Sequence, residues 1–117
     1  MATEKQFDFN DVGVCMNPNT QSIASGNYRA TIKTALIDNK WYCGIDTSTP
    51  VSGWGYGVSE SSKEKFDTEQ DAIAYIAQRA SEWFQHELKQ GMKVPQFIFD
   101  ELKALSRPRP IQLSLFD

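Results

Sequence analysis

"NYRATIKTALIDNKWYCGIDT", residues 27–47, decides the fold. Within it Tyr28, Ala30, Ile32, Thr34 and Leu36 alternate with Arg29, Thr31 and Lys33. Successive side chains of a strand point to opposite faces, so this alternation predicts a strand with one largely apolar face and one polar face. Asp38, Asn39 and Lys40 then supply a hairpin turn. WYCGIDT runs back as the second strand.

Downstream, TSTPVSG reads as a loop broken by Pro50, and GWGYGVS as a third strand. In that strand Gly53, Gly55 and Gly57 share one face, and Trp54, Tyr56 and Val58 the other. A glycine face marks the close approach of another backbone, and a helix packed there is the expectation. After a polar connection, Thr68 is suited to cap a helix whose first turn carries Glu69 and Asp71. Ile73, Ile76, Ala80, Trp83, Phe84 and Leu88 follow at spacings of three and four, an apolar stripe that Gly91 ends. Pro95 opens a second, shorter helix with Phe97, Ile98, Leu102 and Leu105 as its apolar face.

Upstream, residues 1–26 read as a loosely structured segment, since MNPNTQSIASGN is rich in turn formers. Val12 and Val14 suggest a short strand near residues 11–16. The expected fold is therefore α+β: a small antiparallel sheet of three to four strands, then a long helix packed on one face, then a second short helix. Residues 1–106 form a single domain, and residues 107–117 a flexible tail.

The 117 residues carry a net charge of −3, which argues against a broad electrostatic grip on nucleic acid or anionic membrane. MATEKQFDFN lacks the apolar core of an export signal, and no stretch approaches the length of a membrane span, so a cytoplasmic location is expected. Cys15 and Cys43 are then two free thiols, with a disulfide between them as the alternative.

Chemistry is sparse. His86 stands alone beside Glu87 on the flank of the long helix, whereas a metal site needs three or four convergent ligands. The acidic pairs Asp8/Asp11, Glu69/Asp71 and Asp100/Glu101 have simpler roles in solubility and helix charge. GWGYG is followed by no helix, and so lacks what makes a glycine loop bind phosphate. No catalytic residue, metal or cofactor is expected. Trp41, Tyr42, Trp54 and Tyr56 cluster on the sheet, with Arg29 and Lys33 nearby, as a candidate nucleic-acid or partner surface of the kind that stacks single-stranded bases.

Residues 28–80, with KFDTEQDAIAYI leading into the long helix, loosely resemble small DNA-binding domains built from a short sheet and a helix behind it. Such domains use arginine-rich strands, which this chain lacks. The stretch from WYCGIDT to GWGYG is also similar to a small uncharacterised domain of phage and plasmid proteins, a likeness that names no activity.

The tail is more specific. Gln112, Leu113, Ser114, Leu115 and Phe116 spell QLSLF, which resembles the bacterial sliding-clamp (DNA polymerase III beta subunit) binding motif in its favoured form. The resemblance implies that Leu115 and Phe116 enter a pocket, Leu113 fills a neighbouring subsite, and Gln112 hydrogen-bonds the clamp surface. A short peptide must concentrate its energy in a few anchors, and burying a Leu or Phe is worth about 1.5–3 kcal/mol. Arg107, Pro108, Arg109 and Pro110 form an extended stalk that lowers the ordering cost of docking. Alternatively Ile111, Leu113 and Leu115 alternate as a strand on the sheet edge, or pack into a groove of the domain or a dimer mate. The expected function is a non-enzymatic adaptor or inhibitor of phage or mobile-element type that docks on the clamp. The alternative is a nucleic-acid-binding module using the aromatic sheet.

Overall fold

The computed structural model of the protein describes residues 6–106. Four strands, β1 (Asn19–Ser25), β2 (Tyr28–Ile37), β3 (Lys40–Ser48) and β4 (Gly53–Tyr56), form an antiparallel meander in the spatial order of the chain. Two helices follow, α1 (Glu69–Lys89) and α2 (Gln96–Ser106), and the class is α+β as the alternation predicted.

The β2–β3 hairpin closes on Asp38 (φ 51°) and Asn39 (φ 67°), both left-handed. Two such residues give a turn whose twist matches that of the flanking strands. It sets a register in which Ile32 faces Ile45, Thr34 faces Cys43 and Leu36 faces Trp41. Ala30 and Ile32 thus face Thr47 and Ile45 of β3, and all four are buried.

Both helix ends follow local rules. Thr68 accepts a hydrogen bond from the Asp71 amide at 3.1 Å. At the other end Gly91 (φ 102°) donates to Leu88 O and Met92 donates to Glu87 O, each at 3.1 Å. That pair of bonds is the Schellman arrangement, which takes a left-handed glycine just past the helix.

The main core lies between the sheet and the helices. Ala72, Ile76, Ala77, Ala80 and Phe84 of α1 cover Ile23, Ala30, Ile32, Cys43 and Ile45, and α2 adds Ile98 and Leu102. The stripe of α1 is correct in direction but not in extent. Leu88 is 48% exposed, while Ala72 and Ala77 are fully buried, so small side chains make the closest contact with the sheet. On α2, Phe97 is 50% exposed and Phe99 packs against the core in its place.

Three expectations are corrected. Residues 19–25 of the supposedly loose segment are β1, paired with β2 from Asn19↔Thr34 to Ser25↔Tyr28. Residues 6–18 also fold, on the sheet face away from the helices. No strand spans residues 11–16, where Val14 and Cys15 make only isolated bridges. Cys15 donates its amide to Val58 O (2.8 Å), and Gly13 O accepts from Glu60 (2.9 Å). There Cys15, Ala35, Tyr42 and Val58 build a second, smaller core, with Phe7, Phe9 and Ile37 against it. Composition rich in Asn, Ser and Thr hid both elements: β1 pairs with its neighbour β2 across Gly26 and Asn27, whereas residues 6–18 find Tyr42 and Val58 far along the chain.

The third correction concerns the glycines. β4 ends at Tyr56, and Val58 belongs to the second core rather than to the face of Trp54. The helix lies on the Trp54 side, where Trp54 stacks on Trp83. The close approach at glycine is between strands instead. A Cβ on Gly44 would stand 2.6 Å from Tyr56 O and 2.9 Å from Val58 N.

Candidate functional site

Strand alternation separates the six sheet residues singled out as a binding surface. Trp54 and Tyr56 lie on the helix side, Trp54 stacked on Trp83 at 6.3 Å and 16°, and Tyr56 edge-on to Trp54 at 5.8 Å. Trp41 packs against the main core and meets Phe7 edge-on at 6.3 Å. Tyr42 is buried in the second core. Arg29 and Lys33 belong to the opposite sheet face, where Lys33 Nζ pairs with Asp46 at 2.6 Å. Of the four aromatics only Tyr56 is exposed, at 41%. The six residues therefore do not form one platform, although base stacking needs ring faces open on a common side.

The thiols are both buried and free. Burial, helped by the nearby charge of Glu64, pushes Cys43 from its ordinary 9.0 to about 12. A thiol of that kind holds almost no thiolate at neutral pH, and thiolate is the reactive form. His86 is exposed in the last turn of α1. Among the described residues, no three His, Cys, Asp or Glu side chains are grouped to hold a metal ion. No described helix is long and apolar enough to cross a membrane.

Two polar clusters join the sheet to α1. Glu69 Oε2 accepts from Thr34 Oγ1 at 2.7 Å and from Asn19 Nδ2 at 2.9 Å. At the far end of the helix, Ser52 Oγ donates to Glu87 Oε1 at 2.6 Å. Lys40 and Asp67 form an exposed pair that ties the β2–β3 turn to the segment before α1.

Sequence reasoning did not anticipate a polar cavity of about 530 Å³ at the end of the sheet. Gly26 and Asn27 of the β1–β2 turn line it, with Arg29, Ser48, Thr49 and Pro50. These residues meet because antiparallel order brings the start of β2 and the end of β3 together, with Arg29 opposite Ser48. No sequence motif marks that meeting.

The QLSLF motif, the RPRP stalk and the alternating Ile111, Leu113 and Leu115 lie outside the described residues. Helix α2 ends at Ser106, directly before the stalk. No protein-family model, curated protein or solved structure matches this chain.

Proposed function

We propose that the protein docks on the bacterial sliding clamp, the DNA polymerase III beta subunit, through Gln112, Leu113, Ser114, Leu115 and Phe116. The observation that carries this reading is the five-residue match itself. A near-fixed pentapeptide is rare by chance in a chain this short. The order of residue types also suits peptide docking, with one amide that can both donate and accept, a small spacer, and two adjacent large apolar anchors.

In this reading the protein is a non-enzymatic adaptor or inhibitor of phage or mobile-element type, acting in the cytoplasm where the clamp works. Its α+β body either brings a second component to the clamp or keeps other clamp-binding proteins from the pocket.

The test titrates purified sliding clamp with the full-length protein and with the double variant Leu115→Ala, Phe116→Ala. Saturable binding at micromolar affinity or tighter, lost in the variant while its thermal midpoint is unchanged, supports the reading. No binding by the parent protein, together with a lowered midpoint in the variant, overturns it. The tail then belongs to the fold.

A further inference from the structure

The cavity between the β1–β2 turn and the β3–β4 loop is polar, and its lining includes no acid among the described residues. Among the described residues its one cation is Arg29, which has no carboxylate partner there. The acid on the same sheet face, Asp46, is already held by Lys33 at 2.6 Å. Asn27 and Ser48 contribute an amide and a hydroxyl that make no hydrogen bond among the described residues. The rim is stiff where it matters. Thr49 Oγ1 accepts from Val51 N at 3.2 Å and from Ser52 N at 3.0 Å, and Thr49 N donates to Ser52 O at 2.8 Å. The register across β2 and β3 holds Ser48 directly opposite Arg29.

A guanidinium presents its donors in a fixed fork that matches two oxygens of a phosphoryl group. An amide and a hydroxyl on the same wall can serve the remaining oxygens. One cation suits one phosphoryl group rather than an extended polyanion, which would need a row of positive charge. The cavity is open to solvent, with Gly26, Asn27, Arg29 and Pro50 exposed on it, and its volume exceeds that of inorganic phosphate. We propose that this cavity binds a small phosphomonoester, with Arg29 on the phosphoryl oxygens and Asn27 and Ser48 as further donors. The proposal is independent of the tail and of clamp docking.

The experiment follows backbone amide signals of the full-length protein during titration with inorganic phosphate, with adenosine 5′-monophosphate and with a single-stranded oligonucleotide. The expected result is saturable movement of the Gly26, Asn27, Arg29, Ser48 and Thr49 signals with phosphate and with the monophosphate, the latter binding more tightly. Arg29→Gln raises Kd at least about tenfold, and Ser48→Ala about threefold, with thermal midpoints unchanged. The logarithm of affinity for the monophosphate falls with the logarithm of salt at a slope near one. No movement of these signals overturns the proposal, as does movement that persists unaltered in Arg29→Gln. Oligonucleotide binding with a slope of several and no dependence on Arg29, without a response to the small ligands, also overturns it, because the contact then lies on another surface.

Discussion

Thr34 of β2 donates its hydroxyl to the carboxylate of Glu69, the first residue of α1, across 2.7 Å. Thr34 is 2% exposed, so this bond fixes where α1 begins over the sheet. Thr34→Val keeps the shape but removes the donor, leaving the Asn19 amide to serve that oxygen. A loss of about 1–2 kcal/mol in urea unfolding is expected, with the m-value unchanged.

Cys43 supplies a pH dependence whose sign follows from its shift. Folding raises the thiol from 9.0 to about 12, so the folded state keeps its proton where the unfolded chain has lost it. The stabilising effect is complete below pH 9, and it is lost as pH rises toward 12. Unfolding free energies measured at stepped pH above 9 should therefore decline, and the decline should be shallower in Cys43→Ala. At pH 8 a thiol reagent should label Cys43 only in denaturant.

The Trp54–Trp83 stack pins the edge strand β4 to α1. Two indoles stacked at 6.3 Å sit in a fixed, chiral environment, so Trp83→Phe should alter the near-ultraviolet circular dichroism in the tryptophan band. Trp83→Ala should cost about 1–3 kcal/mol, below the full cost for a buried tryptophan, because Trp83 is only half-buried.

Gly44 marks a close approach of two strands in which every near atom is backbone. Its added Cβ would meet backbone atoms of Tyr56, Gly57 and Val58 at 2.6 to 2.9 Å, and backbone cannot rotate away. Gly44→Ala should destabilise by more than about 2 kcal/mol and open the second core, exposing Cys15 to alkylation. Gly26→Ala meets no atom within 4 Å, and should lose only the left-handed turn preference, about 1 kcal/mol.

The candidate sites were legible to different degrees. QLSLF can be read directly because a linear motif carries its chemistry in consecutive residues. The grouping of aromatics on the sheet failed for a reason already present in the sequence. Trp41 and Tyr42 are neighbours in one strand, so pleating sends them to opposite faces. The cavity at Arg29 was not legible, because it depends on two turns that only sheet register brings together.

What residues 6–106 owe to sequence alone is what arises within a few residues of each position. Alternation from Tyr28 to Thr34, the turn at Asp38 and Asn39, the Thr68 cap, the direction of the α1 stripe and the Gly91 stop are short-range effects, and each appears in the structure. Tertiary structure decided the rest. β1 is a strand because β2 offers it an open edge, and residues 6–18 fold because Val58 and Tyr42 give Cys15 an apolar place to bury. Leu88 and Phe97 obey helical periodicity yet stay exposed, while Ala72 and Ala77 set the contact with the sheet. Periodicity selects a face, but only the packed partner determines how far along that face burial extends.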